Sequence, residues 1–306
     1  MRIGIVLPIA EEDGEDGTPS YAEIRAVAIA AESAGLDSVW VFDHLLFRFD
    51  GDTSGIHECW TILAAIAEAT HRVELGTLVM CTGFRNAALL AKMAATLDHV
   101  SGGRLILGIG AGWHDPEYEA FGYPTDHKVG RFAEALAVIT GLIREGRVDL
   151  DGQFTTARDA VLRPPARPDL PILVAAKRPR MLDLTARHAD AWNLAWFGLP
   201  DERLARVRGE LTDACHRVGR DPTTLAITVG ITVRYPDAQR TDGGDTDRPI
   251  ADGPCLTGTA EQVAAGLGAH AAAGVDHAIA VLDPCTSWTV AAFAEAVALF
   301  RASESA

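Results

Sequence analysis

Residues 74–113, ELGTLVMCTGFRNAALLAKMAATLDHVSGGRLILGIGAGW, decide the fold. Two short runs rich in Val, Leu and Ile, near 73–80 and 104–110, flank a segment over 87–99 whose apolar residues recur at helical spacing. A strand, a helix and a second strand in that order form the crossover unit of a parallel sheet. The same alternation continues outward in both directions. Strands are predicted near 2–9, 38–43, 73–80, 104–110, 172–176, 191–195, 226–234 and 277–282. Helices are predicted near 20–34, 57–70, 87–99, 128–145, 179–188, 201–218, 259–273 and 288–301. Near-continuous apolar strands such as IGIVLPI and ILVAA predict burial on both faces. Eight strand–helix units point to the α/β class and to a closed (β/α)8 TIM barrel rather than an open doubly wound sheet.

The length agrees. Residues 1–306 read as one barrel domain with insertions at about 10–19, 145–171 and 236–256. Without those stretches 248 residues remain, against about 250 for a bare barrel. The middle insertion carries Asp151-Gly152, a hairpin-turn pair.

The chain holds 42 acidic and 27 basic side chains, for a net charge of −15. That balance excludes nucleic acid as the main partner, because phosphate binding needs clustered positive charge. Residues 10–19 carry −5 and residues 236–256 carry −3. Both are Gly- and Asp-rich and read as solvated loops, or alternatively as lids over a site. Five cysteines with no CxxC pair predict a reducing cytoplasmic setting and no metal site. The apolar run IGIVLPI is too short for a signal peptide or a membrane span, so no membrane partner is expected.

In a barrel the chemistry collects where strands end. Strand two ends VWVFDHLLF, and neighbours on a strand point to opposite sides. His44 therefore reads as a general acid or base, and Asp43 as a carboxylate that positions it or touches a ligand. The alternative is a core histidine bonded to backbone. Small residues around Cys81 suit close backbone approach to a ligand or, equally, plain barrel packing. Cys81 has no histidine partner in sequence and does not read as a nucleophile. Gly108, Gly110 and Gly112 recur every second residue, so on a regular strand they share one face and leave room for a flat ring, or alternatively for tight packing against a neighbouring strand. They do not form a dinucleotide fingerprint. In the loop that follows, Trp113, Asp115, Glu117 and Glu119 stand near the mouth, and one of the acids is a candidate to reach the site. Lys177, Arg178 and Arg180 cluster around Pro179 at a predicted helix start, where free N–H groups and the helix dipole favour an anion; the alternative is an exposed, salt-bridged turn.

Taken together these strand ends resemble the luciferase-like monooxygenase superfamily of flavin and deazaflavin enzymes. The resemblance rests on AESAGLDSVWVFDHL (31–45), ECWTILAAIAEAT (58–70), residues 74–113, the EYEAFG of 117–122, PILVAAKRPRMLDLTARHADAWN (171–193) and GTAEQVAAGLGAHAAAGVDHAIAVL (258–282). It implies a barrel that holds an isoalloxazine or deazaflavin ring at its mouth. The family's histidine falls on His44 and its acidic neighbour on Asp43. The bulge behind the ring, with a non-proline cis peptide in deazaflavin members, falls near Leu78-Val79. The phosphate turn falls on Lys177, Arg178, Pro179 and Arg180, where many relatives carry glycines at the first two positions. Cys81, Gly110, Gly112 and Trp113 are the further expected ring contacts. Glu58, Trp60 and Glu117 are candidates to meet the substrate or support the site.

The resemblance implies hydride transfer between coenzyme F420 and a small organic substrate, with His44 handling the proton. An FMN-dependent monooxygenase using reduced flavin and O2 is the alternative, and a flavin-binding barrel without activity a third. A separate flavin or F420 reductase and a homodimer are the implied partners. Sugar-phosphate dehydrogenases of the superfamily carry a tryptophan, a glutamate and a lysine where this chain has Arg48, Trp113 and the region near Gly198. A sugar-phosphate substrate is therefore not expected.

Overall fold

The computed structural model describes residues 1–11, 17–49, 51–235 and 253–304. The barrel strands are β1 (Arg2–Val6), β2 (Ser38–Val41), β3 (Glu74–Thr77), β4 (Leu105–Gly110), β5 (Ile172–Ala175), β6 (Ala191–Phe197), β7 (Ala226–Arg234) and β8 (His277–Asp283). Each pairs in parallel with the next, and β8 returns to β1, so the sheet closes on itself. The major helices are α1 (Tyr21–Ser33), α2 (Cys59–Ala69), α3 (Ala87–Val100), α4 (Lys128–Thr140), α5 (Pro179–His188), α6 (Glu202–Arg217), α7 (Ala260–Ala272) and α8 (Ser287–Glu304). The molecule is a (β/α)8 TIM barrel.

Local chemistry explains the boundaries. Ser20 with Glu23, and Thr259 with Gln262, form capping boxes that open α1 and α7. In each, two N–H groups that lack helical partners are satisfied by side chains. Pro179 opens α5, as expected for a residue whose missing N–H costs nothing there. The helix predicted over 128–145 ends earlier, and a π turn over Gly141–Glu145 closes it.

The core has two layers. Between strands and helices lies the large cluster that includes Ile3, Val39, Leu75 and Leu107. Inside the barrel, Val6, Trp40, Ile106, Leu173, Ala191 and Ile279 pack together. Trp40 stands in register with Gly76. A side chain at Gly76 would collide with the Trp40 indole, so the one residue's bulk requires the other's absence of it.

The middle insertion folds as an antiparallel hairpin, Arg147–Asp151 with Thr156–Val161. Its turn holds Gly152, whose N–H donates to the Thr155 carbonyl at 3.0 Å. Two elements escape the sequence pattern: a hairpin of Leu46–Phe49 with Asp52–Gly55, and a short helix Asp115–Phe121. Residues 12–16 and 236–252, on which most of the lid reading rests, lie outside the described residues. Among the described residues no helix is long and apolar enough to cross a membrane.

Candidate active site

Past the end of β2 the chain runs Phe42-Asp43-His44, and alternation sends neighbours to opposite sides. Phe42 packs on the inner cluster. Asp43 is buried and turned toward the helices. Its Oδ2 accepts the Cys81 N–H at 2.8 Å and a bond from Arg85 Nη1. Its Oδ1 accepts from Arg85 Nη2 at 3.1 Å and from the Cys59 thiol at 3.4 Å. Burial opposes the charge on Arg85, but the hydrogen bonds and charge of Asp43 outweigh it and raise its pKa above the ordinary arginine value. Asp43, Glu58 and Cys59 offer ligand atoms within 4.8 Å of one another. Arg85 already grips Asp43 and lies 3.6 Å from Glu58, so a cation occupies the place a metal would take.

His44 faces the other way. Its Nδ1 lies 2.8 Å from Glu117 Oε1, and the second oxygen of Glu117 accepts the Leu45 N–H at 2.8 Å. Glu117 is 1% exposed in its side chain and His44 is 15% exposed. A carboxylate only accepts, so the shared proton belongs to Nδ1. That leaves Nε2 with no protein partner among the described residues, and it is not a buried atom. The imidazole is therefore held in one tautomer, with its free nitrogen toward the mouth. Phe47 lies 4.6 Å from the His44 ring and Trp113 meets it edge-on at 5.5 Å, both between centroids. Trp113 in turn stacks on Phe49, and both are exposed. His114 is buried nearby, and its Nε2 accepts the Arg48 N–H at 3.1 Å. Burial lowers its pKa and favours that neutral, accepting form.

Of the two readings of the β4 glycines, Gly108 and Gly110 follow the second: a neighbouring segment packs closely against them. After β3 the chain bulges through Leu78-Val79, whose peptide is cis, before Met80-Cys81 pairs again with β4. A side chain at Gly108 would strike the Thr77 carbonyl, and a Cβ at Gly110 would come within 2.7 Å of Val79 Cγ2. The bulge fills the space that the missing side chains provide. Gly112 lies beyond the strand in a left-handed conformation, φ +75°, where a Cβ would collide with the Tyr118 hydroxyl. Cys81 is buried with its sulfur 2.8 Å from that hydroxyl, and burial pushes its thiol up to about 11. Leu78, Val79, Phe42 and Val281 sit partly buried on top of the inner cluster and form an apolar floor to the mouth.

Lys177, Arg178, Pro179 and Arg180 follow β5 at the same end of the barrel as His44, and all four are exposed. Arg178 is the N-cap of α5 and makes no side-chain cap bond. None of the three basic side chains pairs with a carboxylate among the described residues. Glu58 instead caps α2, accepting the Thr61 N–H at 2.7 Å. Trp60 lines a groove of about 240 Å³ between α2 and α3 with Lys92, Met93 and Thr96.

The structure thus joins Asp43 to Cys81, His44 to Glu117, and Gly112 to Tyr118, and sets Trp60 apart. Sequence reasoning missed Arg85, Tyr118 and His114. A buried aspartate at an apolar strand end demands a cation, but which of the many arginines supplies it is not written in the spacing.

A family model described as luciferase-like monooxygenase matches residues 1–241. A phthiodiolone/phenolphthiodiolone dimycocerosates ketoreductase from Mycobacterium sp. (strain JLS) is 36% identical over 74% of this chain, a match that spans 63% of the ketoreductase's own length. The pyrimidine monooxygenase RutA of Methylorubrum extorquens is 30% identical over 78% of this chain and 70% of its own. The solved structure of monooxygenase RslO1 from Streptomyces bottropensis superposes with a TM-score of 0.78 at 25% identity, covering 98% of this chain and 99% of the other. The match to the family model spans most of the barrel, and the chain belongs to the luciferase-like monooxygenase family.

Proposed function

We propose that this chain is an oxidoreductase that transfers hydride between coenzyme F420 and a ketone or secondary alcohol at the barrel mouth. The observation that carries the reading is the His44–Glu117 pair, a tautomer-locked imidazole whose free nitrogen opens on the mouth. The residues present fit a flat heteroaromatic group with an anionic tail. Leu78, Val79, Phe42 and Val281 supply an apolar floor, and Lys177, Arg178 and Arg180 supply positive charge at a helix N-terminus, unpaired among the described residues. When bound, reduced F420 supplies the hydride. His44 Nε2, the nitrogen that Glu117 leaves free, would accept the hydroxyl proton as an alcohol is oxidised and would return it to the carbonyl oxygen as a ketone is reduced. Glu117 would hold the ring in place through its contact with Nδ1. Asp43 acts from behind, pinning the β2 end to Arg85 and to the Cys81 backbone. The name of the 36% identical ketoreductase supports a carbonyl as the reacting group.

The similarity to a pyrimidine monooxygenase favours a second reading, an FMN-dependent monooxygenase using O2. Anaerobic titrations with reduced F420 and reduced FMN separate the two. Binding of F420 at least about tenfold tighter than FMN is expected. Preference for reduced FMN with O2 consumption would overturn the first reading. Lys177→Ala with Arg178→Ala should weaken the cofactor about tenfold or more, through lost charge-assisted bonds, with unchanged thermal stability.

A further inference from the structure

The chain has six tryptophans. Trp40, Trp60 and Trp192 are buried, while Trp113, Trp196 and Trp288 are 61%, 41% and 57% exposed. All three exposed indoles lie at the C-terminal ends of strands: after β4, within the end of β6, and after β8. Exposed apolar surface gathered at one end of a barrel marks a place where something apolar binds.

Trp196 is the informative one. The register between β6 and β7 shifts between Leu194 and Phe197, so Trp196 sits on a bulge. Arg203 clamps the bulge, donating from Nη2 to the Trp196 carbonyl at 2.5 Å while its guanidinium lies over the Phe197 ring. The indole lies over Gly230, where a Cβ would come within 2.6 Å of the ring. Gly230 is in register with Ile279, a member of the inner cluster. The indole therefore fills inner-face space at the mouth rather than turning out over the helices. In the closed ring β6 stands four places from β2, which puts Trp196 on the wall opposite His44. On the His44 side the matching wall is the stacked pair of Phe49 and Trp113.

We infer that Trp196 is a specificity-determining residue, and that the substrate is a ketone whose hydrocarbon or aromatic body lies between these two aromatic walls. The inference rests on the hydride-transfer reading for the reacting group, but not for the binding of the body. Polar selection is weak on either wall, because indole and phenyl faces reward apolar area rather than hydroxyl patterns.

The test is a homologous series of 2-alkanones, from 2-butanone to 2-decanone, titrated calorimetrically into the intact protein. The dissociation constant should fall about three- to fourfold per added methylene until the walls are filled. Trp196→Ala should flatten that slope and weaken 2-decanone about tenfold or more, with Trp196→Phe retaining most of the affinity. Neither variant should change the affinity for reduced F420, read by the same calorimetry under anaerobic conditions, by more than about twofold, since the cofactor contacts proposed above lie elsewhere. No dependence on chain length, an unchanged slope in Trp196→Ala, or loss of cofactor rather than ketone affinity would each overturn the assignment. Failure of reduced F420 to bind while the ketone series behaves as expected would overturn the cofactor reading alone.

Discussion

Two histidines at opposite ends of the barrel show what separates a chemical role from a structural one. His44 follows β2 at the C-terminal mouth, partly exposed, with one nitrogen on Glu117 and the other open. His277 opens β8 at the N-terminal end and is fully enclosed. Its Nε2 lies 2.8 Å from Ser38 Oγ, which also accepts the Trp40 indole N–H at 2.7 Å. Burial, with help from the charges of Arg2 and the N-terminus, pushes the His277 pKa down to about 3. One histidine is given a carboxylate and access; the other is given neutral partners and no access. Only the first can exchange protons with a substrate.

The comparison breaks most sharply at His44. His44→Asn should lower turnover about a hundredfold to ten-thousandfold, the usual worth of a positioned acid–base group, while denaturant stability moves by about 1 kcal/mol. Unchanged turnover would remove His44 from the chemistry. Glu117→Gln should lose less turnover than His44→Asn, because the amide can still hold the His44 ring through one hydrogen bond.

Arg85→Ala comes next. It leaves the Asp43 carboxylate buried without its cation, and should cost about 3–5 kcal/mol in chemical unfolding. A cost below 1 kcal/mol would show that Asp43 does not depend on Arg85.

The smallest effect belongs to His277→Asn, expected to cost about 1–3 kcal/mol for a buried network left short of a partner. Its signature is in pH. Folded His277 takes up a proton only near pH 3, but the unfolded chain does so near 6.5. Between those values unfolding binds a proton, so stability falls as the pH drops through that window. The asparagine variant should lose up to about 1.4 kcal/mol per pH unit of that acid slope. An identical slope in both proteins would mean that other groups set it.

The legible part of the molecule was the part with period. Apolar runs and helical spacing located all eight barrel strands, because parallel strands buried on both faces must be apolar throughout. The short hairpin after β2 and the helix of Asp115–Phe121 have neither length nor period, so neither is predicted, and the residues after Trp113 read as a loop. That loop nevertheless carries Glu117 onto His44. The glycines of β4 allow either a ring or a close strand, since a missing side chain says that something comes close without saying what. The neighbour is the bulge at Leu78-Val79 and its carbonyl at Thr77.

Sequence alone was enough for the barrel, for His44 at a strand end and for the basic turn at 177–180, because each depends on residues near one another along the chain. Tertiary structure was needed to choose partners. Glu117 is 73 residues from His44, and Arg85 is 42 from Asp43. Many acids and arginines could satisfy either group, and only closure of the sheet selects which one arrives. Trp196 makes the same point: its indole faces the mouth because of a register shift in β6 and a glycine in β7, and neither has meaning until the strands are side by side.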